Sequence, residues 1–266
     1  SISAFVGGDV VAGLSNLLPL PSHTLFIDLG TNGEIALVKN DTIYATSTAA
    51  GPAFEGGNIE CGLGGVDGAV YDVKRQDGKY VMRYYGQTPQ GFCGSGLLSL
   101  LAAMLDDGVV DESGRLLKHE RDDSNKRFYM DDHLYLSQND IREIQLAKAA
   151  IRGGVHALLN HAEMSMEDIQ DVYVTGAFGA GVSVHALLKT GVLDKAFQPK
   201  IHVVDGMPMK GIERLLTSKN PKAMLEQIMK NAQHIPLHRN SVFMDKYVDS
   251  MALKIQRGET DDHENR

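Results

Sequence analysis

Apolar and polar positions fall into short blocks along this chain, and the blocks predict an order of elements. Val10, Val11, Leu14, Leu17 and Leu18 recur at helical spacing, and Pro19 and Pro21 stop the run. Residues 25–37 (LFIDLGTNGEIAL) then hold two apolar β-type runs around Gly30-Thr31-Asn32-Gly33. Asn-Gly between two such runs predicts a hairpin, because both residues accept positive φ. Residues 42–47 read as a third strand after the turn Asn40-Asp41, which makes an antiparallel meander. Glycine is too dense across 51–65 for an interior helix; the expectation there is loop, a short helix near 55–61, and loop again. Two further β-type runs, 70–74 and 80–85, flank Asp77-Gly78, a second hairpin signal.

The pattern changes after Gly94-Ser95-Gly96, which opens an apolar helix over 97–105 closed by Gly108. Residues 109–135 contain a charge-rich excursion of weak periodicity. Ser137 starts the longest helix through a capping box with Asp140, and Ile141, Ile144, Ala147, Ala150, Ile151, Val155 and Leu158 form its apolar stripe. Ser165 caps one more turn. A buried strand over 171–175, a helix over 184–189, a strand over 200–204 and helices over 208–216, 223–232 and 241–253 follow, with a polar tail over 258–266. Strands, then helices, then strand–helix alternation predict the α/β class.

Composition narrows the function more than the fold. The chain has 266 residues, 43% hydrophobic and 23% charged, an ordinary globular balance. A net charge of -8 and a pI near 5.7 argue against a nucleic-acid surface. Two cysteines, Cys61 and Cys93, are too few for a disulfide scaffold or an iron–sulfur cluster held by this chain alone. No apolar run is long enough to span a bilayer and no signal peptide is evident, so the expected setting is cytoplasmic, without a membrane. The opening residues, apolar and glycine-containing, read as an internal stretch rather than a natural terminus.

Three glycine-bearing segments are candidates for chemistry. The first is Asp28 followed by Gly30, Thr31, Asn32, Gly33 and Glu34: an acid at a strand end, then a turn whose backbone N–H groups can approach a phosphate. The second is the strand end Gly176, Ala177, Phe178, Gly179, since ligands of open α/β sheets sit beyond the carboxyl ends of strands. The third is Gly94-Ser95-Gly96, where free helix N–H groups meet either an anion or another backbone. Rival motifs fail: the only Gly-Lys, Gly78-Lys79, is followed by Tyr80, so there is no P-loop, and no dinucleotide fingerprint is complete. The histidines show no zinc spacing and read as surface residues. Gln145, Lys148 and Arg152 lie on one face of the longest helix; a solvated face is the default reading.

With those residues in view, the chain resembles the actin-like ATPase superfamily and, within it, the ATP-dependent reductive activators of corrinoid proteins. The matching stretches are AFVGGDVVAG (4–13), FIDLGTNGEIAL (26–37), AAGPAFEGGNIECGL (49–63), FCGSGLL (92–98), DIREIQLAKAAIRGG (140–154) and VYVTGAFG (172–179). The resemblance implies a ribonuclease H-like lobe, a mixed sheet with an antiparallel three-strand meander flanked by helices. By position it makes 1–266 a single C-terminal ATPase lobe, with the ferredoxin domain and first lobe outside the chain. It implies ATP and Mg²⁺ as cofactors and a corrinoid protein as partner, with a homodimer as a further expectation. Asp28 is then the catalytic group, holding Mg²⁺ through water. Gly30, Thr31, Asn32, Gly33 and Glu34 form the second phosphate hairpin, and Gly56 and Gly57 sit in a loop that closes on the nucleotide. Gly176, Ala177, Phe178 and Gly179 become the adenosine loop, with Gln145, Lys148 and Arg152 facing the adenine. Two departures stand out: Ala177 where relatives often have glycine, and Asp205-Gly-Met-Pro-Met209 in place of a Gly-Asn-Ala-Ala-Leu-like segment. The alternatives are a small-molecule kinase of the same superfamily and a non-catalytic docking module with a decayed nucleotide site.

Overall fold

The structure, a computed structural model, describes residues 7–117, 126–176, 178 and 181–253. Its elements in chain order are α1 (Gly8–Asn16), β1 (Thr24–Leu29), β2 (Gly33–Lys39), β3 (Thr42–Thr48), β4 (Ala69–Gln76), β5 (Lys79–Tyr84), β6 (Gly91–Phe92), α2 (Gly94–Asp106), β7 (Arg127–Tyr129) and β8 (Tyr135–Ser137). They continue as α3 (Gln138–His161), β9 (Asp171–Gly176), α4 (Val184–Lys189), β10 (Ile201–Val203), α5 (Met207–Thr217), α6 (Pro221–Asn231), β11 (Ala232–His234) and α7 (Ser241–Asp249).

The expected meander is the centre of a six-stranded sheet ordered β10-β9-β1-β2-β3-β11. Strands β1, β2 and β3 are antiparallel, whereas β9 runs parallel to β1 and β10 parallel to β9. Side chains alternate across this sheet. Leu25, Ile27, Leu29, Ile35 and Leu37 face the α3 stripe of Ile141, Ile144, Ile151 and Leu158 in one core. Phe26, Ala36, Val38, Ile43 and Ala45 face Val10, Val11, Leu14, Met207 and Ile228 in the other. The alternation places Asp28, Glu34 and Thr175 on the second face, just past the apolar residues that anchor α1 and α5. The α/β class and the flanked mixed sheet are as the resemblance implied.

Local chemistry explains the boundaries. The Ser137 hydroxyl accepts from the Asp140 N–H while the Asp140 carboxylate accepts from the Ser137 N–H, the capping box that starts α3. The second hairpin turns through Asp77 and Gly78, both at positive φ. Gly94 and Gly96 lie hard against the Phe54 and Val70 carbonyls, so that segment serves close packing of α2 rather than anion binding. Four details differ from the pattern. A 3₁₀ turn at Pro52–Glu55 replaces the helix expected near 55–61, because Gly56 takes a left-handed conformation with φ of 81°. Ser165 and Asp168 form a turn, not a helix. Strand β11 extends the sheet where only the end of a helix was expected. The last helix ends at Asp249, and 250–253 run on as an irregular segment. The tail at 258–266 lies outside the described residues, as do 118–125 of the excursion, whose described remainder includes the short pair β7–β8.

Candidate active site

Strands β1 and β9 end side by side, with Leu29 opposite Gly176, and their carboxyl ends open into a cavity of about 430 Å³. The close approach needs glycine: Gly176 has φ of 146°, and a Cβ there would stand 2.2 Å from the Leu29 carbonyl oxygen. The β1–β2 turn supplies Gly30, Thr31 and Asn32 to the wall, and Asp28 and Glu34 face one another across the strands as a register pair. Opposite stands the Gly206 turn, from which Pro208 and Met209 complete the wall. The Thr175 hydroxyl accepts from the Met207 N–H at 3.2 Å, tying the start of α5 to the end of β9.

Four carboxylates, Asp9, Asp28, Glu34 and Glu55, line this cavity, and among the described residues no lysine or arginine does. Burial and the charges of Glu34 and Asp9 raise the Asp28 carboxyl to about 6. Burial also raises Glu34, against a hydrogen bond from the Gly7 backbone and with the Asp9 charge adding to the rise. The site therefore holds uncompensated negative charge beside a turn able to present N–H groups. An anionic ligand enters such a site only together with a cation. Among the described residues no three His, Cys, Asp or Glu side chains are grouped to hold a metal ion. The donor set thus suits a hydrated cation carried by its ligand, held by a carboxylate through water, rather than a metal chelated by protein. Glu55 reaches the turn itself, where its carboxylate accepts from the Thr31 hydroxyl.

A second cavity has a volume of about 430 Å³. It is lined by Tyr71, Lys74 and Arg83 from the β4–β5 sheet, Ser95 and Ser99 from α2, and Gly181 to Ser183. Asp205 belongs to its wall, while the adjacent Gly206 belongs to the first.

The structure brings together only part of the expected set. Gly30, Thr31, Asn32, Glu34, Asp28 and Gly176 meet in the first cavity, and Gly33 starts β2 beneath them. Gly56 and Gly57 do not line it; they fold their own loop against Leu63 and Pro52, and the preceding Glu55 makes the contact instead. Phe178 is buried in the core, its ring centre 6.1 Å from that of Phe54, and does not line this cavity. Ala177 and Gly179 lie outside the described residues. Gln145, Lys148 and Arg152 are neither solvated nor near this cavity: all three are buried. The Gln145 amide donates to the Met251 carbonyl at 2.6 Å and the Lys148 ammonium to the Ala252 carbonyl at 2.6 Å. Arg152 donates to Ser250 and pairs with Asp194 at 3.0 Å. The donors expected to face an adenine are thus consumed by residues 250–252 and Asp194, which corrects that expectation.

Sequence reasoning missed Asp9, Glu55, Thr175, Pro208 and Met209. Asp9 carried a signal, an acid in the first turn of a helix inside a matching stretch; the others depend on which loops meet.

Against known proteins, residues 22–263 match the family model described as the C-terminal domain of RACo, the ASKHA domain. The chain is 31% identical over 269 residues to the corrinoid activation enzyme RamQ of Eubacterium limosum, across 93% of this chain and 45% of that protein. It is 26% identical over 279 residues to the Co(II) methylated amine-specific corrinoid protein reductase of Methanosarcina barkeri, across 94% of this chain and 50% of that protein. A solved reductive activator for corrinoid,iron-sulfur protein shares the fold with a TM-score of 0.85 and 30% identity, over 95% of this chain and 43% of that one. The chain spans about half the length of the curated relatives it matches.

Proposed function

The chain belongs to the family of RACo C-terminal ASKHA domains, and from that premise we propose that it is the nucleotide-binding lobe of an ATP-dependent activator that returns Co(II) corrinoid proteins to Co(I). Electrons would come from an iron–sulfur domain outside this chain. Returning cobalt to Co(I) is uphill for a mild donor, so it needs coupling to a second process, and differential binding of a corrinoid protein in two nucleotide states supplies one.

The observation that carries the reading is the open cavity where the β1–β2 turn, Asp28 and the end of β9 converge. The turn residues Gly30, Thr31 and Asn32 would hold phosphate oxygens. The nucleoside would extend into the second cavity, where Tyr71 offers a ring and Ser95 and Ser183 offer hydroxyls. Mg²⁺, when bound with the nucleotide, supplies the positive charge that the lining side chains lack. Asp28 accepts hydrogen bonds from water in that setting and orients it; its raised pKa suits a group that takes up a proton near neutrality. Thr175 keeps the start of α5 in place as the opposite wall.

Titration of Mg-ATP into the chain, compared with Asp28→Ala, tests nucleotide binding. The expected result is saturable binding by the parent chain that weakens about tenfold in the variant. A corrinoid protein retained by the chain in a nucleotide-dependent manner supports the partner assignment. That no basic group lines the cavity among the described residues favours one second reading, a docking module without nucleotide chemistry. That module would bind a corrinoid protein equally with and without Mg-ATP.

A further inference from the structure

A third cavity lies at the opposite edge of the sheet, beside strand β11, with a volume of about 510 Å³. Its walls carry His161, His234, His238 and Arg239, together with the amides of Gln233 and Asn240. Three of the ten histidines of the chain thus gather in one cleft, and among the described residues none that lines it is acidic. In a chain of net charge -8, whose first cavity is ringed by carboxylates, this is a local inversion of sign.

The surrounding structure fixes these groups from three elements. His161 ends α3 and stands edge-on to Tyr44, with ring centres 5.3 Å apart. The negative end of α3 next to it is offset by Lys39, whose ammonium donates to the Ala162 carbonyl at 2.5 Å. His234 ends β11, which pairs with β3 and so has a set position. Asn240 caps α7 by accepting from the Phe243 N–H at 2.9 Å, so the start of that helix adjoins the cleft wall.

The chemistry selects an anion over a metal. A guanidinium and a helix N-terminus both repel a cation, and the described residues include no His, Cys, Asp or Glu trio arranged to hold one. Imidazoles, a guanidinium and amides are the donor set of phosphate recognition. The volume lies within the range of small-molecule sites, roughly 300–1,000 Å³. Ile235 and Pro236 add apolar surface to the wall. We infer that this cleft binds the phosphate group of a small phosphorylated molecule, at a site separate from the Asp28 cavity.

The test follows the imidazole resonances of the full 266-residue chain by NMR while inorganic phosphate, and then ribose 5-phosphate, is added. The expected result is a saturable shift of the His161, His234 and His238 signals below about 10 mM ligand, tighter for ribose 5-phosphate. Combined Arg239→Ala and His238→Ala substitution, at two exposed positions, is expected to weaken binding about tenfold. His161→Gln provides an independent variant, and Asp28→Ala is expected to leave the shifts unchanged. Shifts reproduced by sodium chloride at equal ionic strength would overturn the proposal. So would shifts that do not saturate, or that persist at full affinity in the Arg239 and His238 double variant. Loss of the shifts in Asp28→Ala would assign the anion to the first cavity instead.

Discussion

Two polar regions of this lobe look alike in sequence and differ in every physical respect that matters for function. The Asp28 cavity is open at the strand ends, its carboxylates face one another, and its charge is uncompensated. The polar face of α3 is sealed: Gln145, Lys148 and Arg152 are buried, and residues 250–252 and Asp194 absorb their donors. A ligand site keeps unsatisfied potential at an accessible place, whereas a structural polar cluster spends its potential internally.

Breaking the sealed face is expected to give the largest effect. Arg152→Ala leaves the half-buried Asp194 without its guanidinium and is expected to lower stability by about 2 kcal/mol, read from the urea midpoint. Mg-ATP affinity per folded molecule is expected to stay unchanged.

Lys148 sharpens the contrast through pH. Burial, helped by the Arg152 charge, lowers its pKa to about 7, and its ammonium has one hydrogen-bond partner among the described residues, the Ala252 carbonyl. The unfolded chain holds that proton more tightly than the folded one. Stability is therefore expected to rise between about pH 7 and the ordinary lysine value. In Lys148→Met the lysine-dependent part of that rise disappears. A parent and a variant with identical urea midpoints across this window would break the argument.

The open cavity predicts the opposite response. The folded state raises the Asp28 pKa from 3.8 to about 6, so its stabilising share is present below 3.8 and is lost as pH rises through about 6. Asp28→Asn is expected to stabilise the fold by about 1 kcal/mol at pH 7.5 and to give no gain below about pH 4, while weakening Mg-ATP binding. A destabilised Asp28→Asn at pH 7.5 would mean that the carboxylate is satisfied in place, like Arg152. The smallest effect belongs to Glu55→Gln. Removing that charge beside the Thr31 hydroxyl is expected to tighten nucleotide about threefold, by calorimetry.

The comparison also marks what the chain itself discloses. The β1–β2 hairpin, the capping box at Ser137 and the strand end at Gly176 are local, because turn chemistry and periodicity act over a few residues. The hairpin nonetheless turns at residues 30–32, and neither Asn32 nor Gly33 takes the positive φ expected of an Asn-Gly turn. The resemblance added their order, and hence the lobe. The gathering of Asp9, Glu55 and Met209 around Asp28 was not legible, since it depends on how α1, the Pro52–Glu55 turn and α5 meet in space. The fate of Gln145, Lys148 and Arg152 was hidden for the same reason. Their partners at residues 250–252 lie about a hundred residues away in sequence, at separations of 106, 104 and 98.

Helices α1 and α5, which carry two opposing walls of the Asp28 cavity, cross at their small residues. A Cβ at Gly211 would stand 1.7 Å from the Ala12 carbonyl oxygen. One methyl group at that crossing would act as a wedge about 200 residues away in sequence from Asp9 and buried from every ligand. The width of the Asp28 cavity is thereby set from behind, by how closely two backbones can touch.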